Sequence, residues 1–343
     1  MALFDLPLGE LQRYAPEVPE PGDFDAFWDG TLKQADAAPV LIEVTPADTG
    51  LSLVDTWDVT FAGYEGQPVR GWFTRPRGAA AGLPAVVEYL GYGRGRGLPH
   101  ERLTWAAAGY AHLLMDSRGQ GDLYGNGGDT PDLGGGAPGG PGVATRGILA
   151  PHDYYYRRLI TDAVRAVAAA RALPGVDPAR VCALGNSQGG GLALAVAGLV
   201  PDLAALMISA PFLCHIQRAI DITDADPYGE IVRYLAVNRE AEAAVRRTLS
   251  YVDGVHFAGR ATAPVHVGVG LRDTICPPST VFAAYNRYGS ADRTLHVYPF
   301  NHHEGGEALH TRRQLAWLAA RMGQEVPGTA GRTGSAGQAQ GGV

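Results

Sequence analysis

Ser187 stands in the segment Gly185-Asn186-Ser187-Gln188-Gly189, which has the spacing of a nucleophile elbow. In that motif a sharp turn from strand to helix exposes the serine hydroxyl, and small flanking residues let the backbone close. An apolar run at 180–185 predicts the strand, and an apolar stretch at 190–199 predicts the helix. A glycine-rich turn that only caps a helix is the alternative, but the predicted strand and helix favour a nucleophile.

A serine hydroxyl needs a base to take its proton and a carboxylate to orient that base. In folds with this elbow, the order along the chain is serine, acid, histidine. Asp273 follows a predicted strand at 265–270, and His302 and His303 follow a predicted strand at 294–298. Because sites in open α/β sheets lie at the carboxyl ends of the strands, we expect these side chains near the serine.

The same residues could have other roles. Asp273 could cap a helix ahead of Pro277-Pro278, and the two histidines could ligate a metal ion. The zinc motif H-E-x-x-H does not continue from His303-Glu304, since position 307 is Glu and Gly305-Gly306 would break the required helix. The sequence therefore predicts no metal site.

Ester hydrolysis by a serine also needs two donors for the oxyanion of the tetrahedral intermediate. The elbow itself predicts one donor, the backbone N–H of Gln188. The loop at 90–97 offers the second, near Tyr92. Glycines at 91, 93, 95 and 97 miss the G-x-G-x-x-G spacing of a dinucleotide loop, so an oxyanion donor is the better interpretation.

Short apolar runs alternate with helical stretches along most of the chain. Strands are predicted at 51–61, 69–74, 85–90, 111–116, 180–185, 205–209, 265–270 and 294–298. Helices are predicted at 154–173, 190–199 and 308–321. The first two strands read as an antiparallel pair. The alternation that follows predicts an α/β fold, a mostly parallel sheet covered by helices on both faces.

A single domain is predicted at 1–322, and three segments within it, together with the tail that follows it, depart from this alternation. Residues 1–50 read as an N-terminal arm with a capped helix from Asp23, and 211–262 as an insertion of two or three helices after the sixth predicted strand. Residues 125–142 are rich in glycine and proline and predict a surface loop or lid. The tail at 323–343 predicts disorder.

Charge and composition exclude several classes of protein. A net charge of −7 is the wrong sign for binding nucleic acid or an anionic membrane. Lys33, the only lysine, lies far from any glycine loop, which excludes a P-loop NTPase and a Schiff-base enzyme. Three cysteines without a C-x-x-C pair predict neither a disulfide framework nor a zinc knuckle. With no signal-peptide or membrane-span pattern, a cytoplasmic protein is expected.

Several motifs together resemble carbohydrate esterase family seven, the acetyl xylan esterases and cephalosporin C deacetylases of the α/β-hydrolase fold. The strongest are Arg118-Gly119-Gln120-Gly121, the elbow with Gly190, and His303-Glu304. The resemblance extends from the N-terminal Phe4-Asp5-Leu6-Pro7-Leu8 to the helix near Arg321, and includes Thr145-Arg146-Gly147-Ile148-Leu149, Tyr154-Tyr155-Tyr156-Arg157-Arg158 and Ile275-Cys276-Pro277-Pro278-Ser279-Thr280.

The resemblance implies a role for each matching residue. Ser187 is the nucleophile, Asp273 the acid, His303 the base, and the oxyanion donors are the backbone N–H groups of Tyr92 and Gln188. It also implies a cofactor-free serine esterase that removes acetyl groups from small substrates, such as acetylated xylo-oligosaccharides and cephalosporin C, through an acetyl-enzyme. A homo-oligomer, a hexamer, is implied as well. A general short-chain carboxylesterase, a dienelactone-type hydrolase and a silent binding scaffold are the alternatives.

One expectation concerns the shape of the pocket. Pro227 and Tyr228, at the start of a predicted helix in the insertion 211–262, are candidates for limiting the acyl side. A pocket closed around one methyl group rejects longer acyl chains, because overpacking a filled site costs about 1–3 kcal/mol.

Overall fold

A computed structural model describes residues 3–134 and 141–323 of the 343. The predicted disordered tail therefore lies outside the described residues, except for Gly323, and so does the centre of the glycine-rich segment, at 135–140. The two ends of that segment, residues 125–134 and 141–142, are described.

A sheet of nine strands forms the centre of the molecule. The strands are β1 Leu41–Ala47, β2 Val54–Ala62, β3 Pro68–Pro76, β4 Leu83–Tyr89, β5 Ala111–Met115, β6 Val176–Asn186, β7 Ala205–Ser209, β8 Val265–Gly270 and β9 Arg293–Tyr298. Their order is β1-β2-β3-β5-β4-β6-β7-β8-β9. The first three pair antiparallel, β3 joins β5 antiparallel, and every pair from β5 to β9 is parallel. The predicted α/β architecture is confirmed.

Helices cover both faces of this sheet. They are α1 Leu8–Leu11, α2 Phe24–Ala35, α3 Thr104–Ala107, α4 Tyr155–Ala172, α5 Gln188–Leu199, α6 Ile216–Ile222, α7 Tyr228–Val237, α8 Glu242–Ser250, α9 Gly254–Arg260, α10 Pro278–Arg287 and α11 Glu307–Met322. The three helices predicted outside the N-terminal arm and the insertion appear as α4, α5 and α11, each within two residues of its predicted bounds.

The central strands bury both of their faces, each in a different core. In β6, Val181 and Ala183 belong to the larger core, while Cys182 and Leu184 belong to a smaller core that includes Leu318 of α11. Successive side chains of a strand point to opposite faces. The apolar runs without alternation are therefore what a parallel sheet covered on both sides requires.

The structure corrects two predictions about the segments around the sheet. Within the predicted N-terminal arm, β1 pairs antiparallel with β2 at the edge, where Ile42 is 53% exposed and Pro46 is tolerated. It was missed because its burial does not alternate. The insertion after β7, the sixth predicted strand, contains four helices rather than two or three, since α6 and α9 have only seven residues each and show little periodicity.

The first long helix follows the prediction except at its cap. Asp23 is the N-cap of α2, but its side chain does not cap the helix. Instead its Oδ1 accepts a hydrogen bond of 2.5 Å from the hydroxyl of Tyr251, and Trp28 Nε1 donates to the carbonyl of that tyrosine at 2.9 Å. The arm is thus attached to the insertion through α2.

Candidate active site

Ser187 forms the turn between β6 and α5 with φ of 57° and ψ of −122°. A positive φ is strained for a serine and persists only where the surroundings hold it. Glycine is required on both sides, because an added Cβ would lie 2.0 Å from the Gly189 carbonyl oxygen at position 185 and 2.1 Å from the Tyr89 carbonyl oxygen at position 189. The predicted nucleophile elbow is therefore present in its geometry.

Backbone hydrogen bonds hold this turn against the end of β7. The Ser187 N–H donates to the Ser209 carbonyl at 3.0 Å, and the Ser187 carbonyl accepts from Phe212 N at 2.9 Å and from Gly191 N at 3.0 Å. These bonds fix both peptide groups of the serine, so its side chain is presented from a rigid support.

The predicted acid and base are hydrogen-bonded to each other. His303 Nδ1 lies 2.8 Å from Asp273 Oδ2, and the carboxylate is fully buried. The other oxygen, Oδ1, accepts from the backbone N–H of Ile275 at 2.8 Å and of Cys276 at 2.9 Å. Because two backbone N–H groups donate to Oδ1, Oδ2 is the oxygen that can accept Nδ1–H, which leaves Nε2 of His303 as the nitrogen that can take a proton.

Of the two adjacent histidines, only His303 has this contact among the described residues. The backbone N–H of His302 donates to Glu304 Oε2 at 3.1 Å, and Asn301 Nδ2 donates to Glu304 Oε1 at 2.8 Å. Glu304 thus shapes the loop that carries both histidines. His303 lines the same cavity as Ser187, whereas His302 is not part of its wall.

The predicted oxyanion donors lie on two segments that a buried glutamine joins. Gln120 Oε1 accepts from Gly93 N at 2.5 Å, and Gln120 Nε2 donates to Gln188 Oε1 at 2.9 Å. Gln188 Nε2 donates in turn to the Leu90 carbonyl at 3.3 Å. No described residue accepts a hydrogen bond from the backbone N–H of Tyr92, and the N–H of Gln188 is at the first turn of α5, where helix donors are free.

Gln120 belongs to the segment Arg118-Gly119-Gln120-Gly121, whose arginine is fully buried. Arg118 Nε and Nη2 contact the two carboxylate oxygens of Asp162 at 2.5 and 2.7 Å, and its Nη1 donates to Gln67 at 2.7 Å. Burial alone would lower the pKa of this guanidinium, but Asp162 reverses the effect and raises it. Arg118 is therefore a fixed cation that anchors the segment.

One part of the site was not found from the sequence, the contact between Tyr92 and Glu230 of α7. The Tyr92 hydroxyl donates to Glu230 Oε1 at 2.7 Å and accepts from Val143 N at 2.6 Å, while Ala144 N donates to Glu230 Oε2 at 3.2 Å. Burial raises the pKa of both the Tyr92 phenol and the Glu230 carboxyl. Nothing in the spacing of the sequence signals a contact across 138 residues.

The catalytic cavity, as we call the space above Ser187 and His303, has a volume of about 910 Å³. Pro227 lies in its wall, as predicted. Tyr228 does not: it is fully buried, its ring centroid lies 4.5 Å from that of Phe212, and its hydroxyl accepts from Leu213 N. The prediction that Tyr228 limits the pocket directly is wrong, because the first turn of α7 directs this ring into the core.

Within 3–134 and 141–323, no group of three or more His, Cys, Asp or Glu side chains could hold a metal ion. No helix in the same ranges is long and apolar enough to cross a bilayer.

Known proteins are similar to this chain in both sequence and fold. Residues 1–321 match the acetyl xylan esterase (AXE1) family. The acetyl esterase Axe7A of Xylanibacter ruminicola is 28% identical over 310 residues, which are 90% of this chain and 69% of that protein. The acetyl xylan esterase of Paenibacillus sp. R4 superimposes with a TM-score of 0.86 at 37% identity, over 92% of this chain and 99% of that one.

A second solved structure agrees. Acetyl xylan esterase 1 of Thermoanaerobacterium sp. JW/SL YS485 superimposes with a TM-score of 0.83 at 31% identity, over 92% of this chain and 99% of that one. The family match covers residues 1–321, which include every segment that builds the site. The chain therefore belongs to the acetyl xylan esterase family and is an acetyl esterase of the α/β-hydrolase fold.

Proposed function

We propose that the protein hydrolyses acetyl esters of small hydroxylated molecules, above all acetylated xylo-oligosaccharides, with Ser187 as its nucleophile. The observation that carries the proposal is the hydrogen bond of 2.8 Å between His303 and buried Asp273, on a cavity that also exposes a serine held at positive φ. The resemblance to acetyl xylan esterases supports the choice of acyl group and of sugar alcohol.

In the proposed first step, Ser187 Oγ bonds to the acetyl carbonyl carbon while His303 Nε2 takes the hydroxyl proton. The carbonyl oxygen becomes an oxyanion, and the backbone N–H groups of Tyr92 and Gln188 donate to it. When the intermediate collapses, the bond from carbon to the alkoxy oxygen breaks. His303 returns the proton to that oxygen, so a neutral sugar alcohol leaves.

The second step reverses these roles with water as nucleophile. His303 takes one proton from water as the water oxygen bonds to the carbonyl carbon of acetyl-Ser187. The bond from that carbon to Ser187 Oγ then breaks, His303 returns the proton to Oγ, and acetic acid leaves and ionises to acetate in water. Asp273 keeps its charge in both steps and holds the imidazole in one orientation. Its two backbone donors make this anion favourable even though it is fully buried.

The experiment that tests this proposal compares wild type with Ser187→Ala on acetylated xylo-oligosaccharides, cephalosporin C and nitrophenyl acetate. Ser187→Ala should stay folded and lose several orders of magnitude in kcat, up to about 10⁶-fold. Mass spectrometry of a fluorophosphonate-treated sample should find the label on Ser187. Turnover close to wild type, or a label on another serine, would disprove the assignment.

The substrate panel separates the alternatives. A preference for acetylated sugars supports the proposal, equal rates on cephalosporin C extend it to acetoxymethyl β-lactams, and activity on aryl esters alone favours a general short-chain carboxylesterase. We also propose a cytoplasmic homo-oligomer, a hexamer by resemblance. Light scattering behind a size-exclusion column and fractionation of the producing cells test these two statements.

A further inference from the structure

A second cavity, which we call the α11 cavity, lies beside the catalytic cavity. It has a volume of about 570 Å³ and lies between the N-terminal half of α11, the carboxyl ends of β6 and β7, and α3. The two cavities share part of their wall, including Asn186, which precedes the nucleophile, and Glu304, which follows the base. A substrate with its ester at Ser187 can therefore extend over Asn186 into the α11 cavity.

The wall of the α11 cavity presents polar groups that have no partner among the described residues. Gln314 is 5% exposed and Ser209 is 8% exposed. Neither the Gln314 amide nor the Ser209 hydroxyl bonds to any residue in the described ranges, and the same holds for the amide of Asn186, an exposed residue. These groups line the cavity and are not committed to other side chains, so a ligand that enters it can exchange hydrogen bonds with them.

The charges of the wall indicate which ligand this is. Both arginines are already paired, Arg102 with Glu88 and Arg94 with Glu101. Glu304 and Glu307 then contribute two negative charges that no basic residue of this wall balances. An anionic ligand would be repelled, whereas a neutral ligand rich in hydroxyl groups can donate to carboxylates and exchange hydrogen bonds with amides.

We infer that the α11 cavity is a binding subsite for an unmodified neutral sugar residue that is joined to the acetylated one. The inference rests on the proposed function, because it assigns a place to the rest of the alcohol. The volume of the α11 cavity lies within the range of about 300–1,000 Å³ that is typical of small-molecule sites. Trp105 and Leu184 are the large apolar residues of the cavity wall.

The test measures kcat/KM of wild type and two variants on acetylated xylose, acetylated xylobiose, acetylated xylotriose and nitrophenyl acetate. Gln314→Leu keeps the volume of the side chain and removes its hydrogen bonds. The matched control is Arg312→Gln, an exposed position on the same helix. Ser209→Ala removes a single hydroxyl from the wall. It provides a second test of the subsite in case Gln314→Leu does not fold.

Wild type should prefer the longer sugars, and in Gln314→Leu the ratio of kcat/KM for acetylated xylobiose to that for nitrophenyl acetate should fall about three- to tenfold, the effect of one lost hydrogen bond. Ser209→Ala should lower the ratio in the same direction, and Arg312→Gln should not change it. Unacetylated xylobiose should inhibit nitrophenyl acetate hydrolysis competitively in wild type and more weakly in Gln314→Leu.

Two results would overturn the subsite. One is equal kcat/KM for acetylated xylose and xylotriose in wild type, and the other is an equal loss on every substrate in Gln314→Leu. Both leave the sugar esterase activity intact. If wild type instead cleaves nitrophenyl acetate and no acetylated sugar, the proposed function itself fails, so the two failures are distinguishable.

Discussion

Replacing Gln120 by leucine should separate the two segments that carry the oxyanion donors. The Gln120 amide makes four hydrogen bonds: it accepts from Gly93 N at 2.5 Å and from Gln188 Nε2 at 3.5 Å, and it donates to Gln188 Oε1 at 2.9 Å and to the Tyr155 hydroxyl at 2.8 Å. Leucine has nearly the same volume and makes none of them. The packing is therefore kept while the connection between the loop of Tyr92 and the elbow is lost.

The size of the effect follows from which partners retain other bonds. The Tyr155 hydroxyl still donates to the Arg118 carbonyl at 2.6 Å, and Gln188 Oε1 still accepts from Tyr156 at 3.0 Å. Of these partners, only the N–H of Gly93 loses its acceptor. An unsatisfied buried donor costs about 1–3 kcal/mol. Because Tyr92 precedes Gly93, its N–H should move off the oxyanion, and loss of one such donor lowers kcat by up to about 10²–10³-fold.

The assay combines urea unfolding with steady-state kinetics on nitrophenyl acetate. We expect Gln120→Leu to lose about 1–3 kcal/mol in the free energy of unfolding and to lose far more in kcat than in KM. The matched control is Gln217→Leu, since that amide makes one exposed bond to Asp221 and should change neither quantity. A kcat close to wild type, or a loss of activity that only tracks the unfolded fraction, would refute the reasoning.

Three further predictions follow from the site and the core. His303→Ala should lower kcat by about 10³-fold or more, and His302→Ala should lower it far less; the reverse ranking of the two variants would contradict this. Nitrophenyl butyrate should react about 10- to 100-fold more slowly than nitrophenyl acetate. Pro227→Ala should reduce this ratio of rates. Equal rates on C6–C8 esters would contradict the selectivity for acetyl groups. Burial lowers the pKa of His266 to about 3 and of His310 to about 4, so the folded protein binds fewer protons than the unfolded chain below pH 6.5. Stability should therefore fall as pH drops from 6.5 towards 4, by up to about 2 kcal/mol per histidine at pH 5. In urea titrations at several pH values, the free energy of unfolding of His266→Phe should depend less steeply on pH than that of wild type.

The elbow could be predicted from sequence because local sterics dictate its residue types. At Gly185 and Gly189 an added Cβ would meet backbone oxygen at 2.0 and 2.1 Å, so the motif and the geometry have one cause. Asp273 and His303 could be placed for a related reason, since each follows a short apolar strand and parallel strands end at one edge. These inferences need only the neighbours of each residue along the chain.

The remaining parts of the site depend on contacts that no local pattern encodes. Gln120 meets Gln188 across 68 residues, and Tyr92 meets Glu230 across 138. Tyr228 was misplaced for the same reason, because whether the first turn of α7 directs a side chain into the cavity or into the core depends on how the whole insertion packs. The strand β1 was missed because an edge strand with partly exposed faces lacks the period-2 burial that identifies strands.

These long-range contacts explain how groups from distant segments can act as one site. The buried amide of Gln120 joins the loop of Tyr92 to the elbow, and the buried carboxylate of Asp273 joins its own loop to the loop of His303. A buried polar network of this kind stabilises the fold only while every member is paired. Loss of Gln120 or Glu230 should therefore reduce stability and activity together, whereas loss of the Ser187 hydroxyl, which interacts with the Cys276 thiol and not with these amides, should reduce activity far more than stability. A Ser187→Ala protein that unfolds as readily as Gln120→Leu would show that the serine also holds the network together.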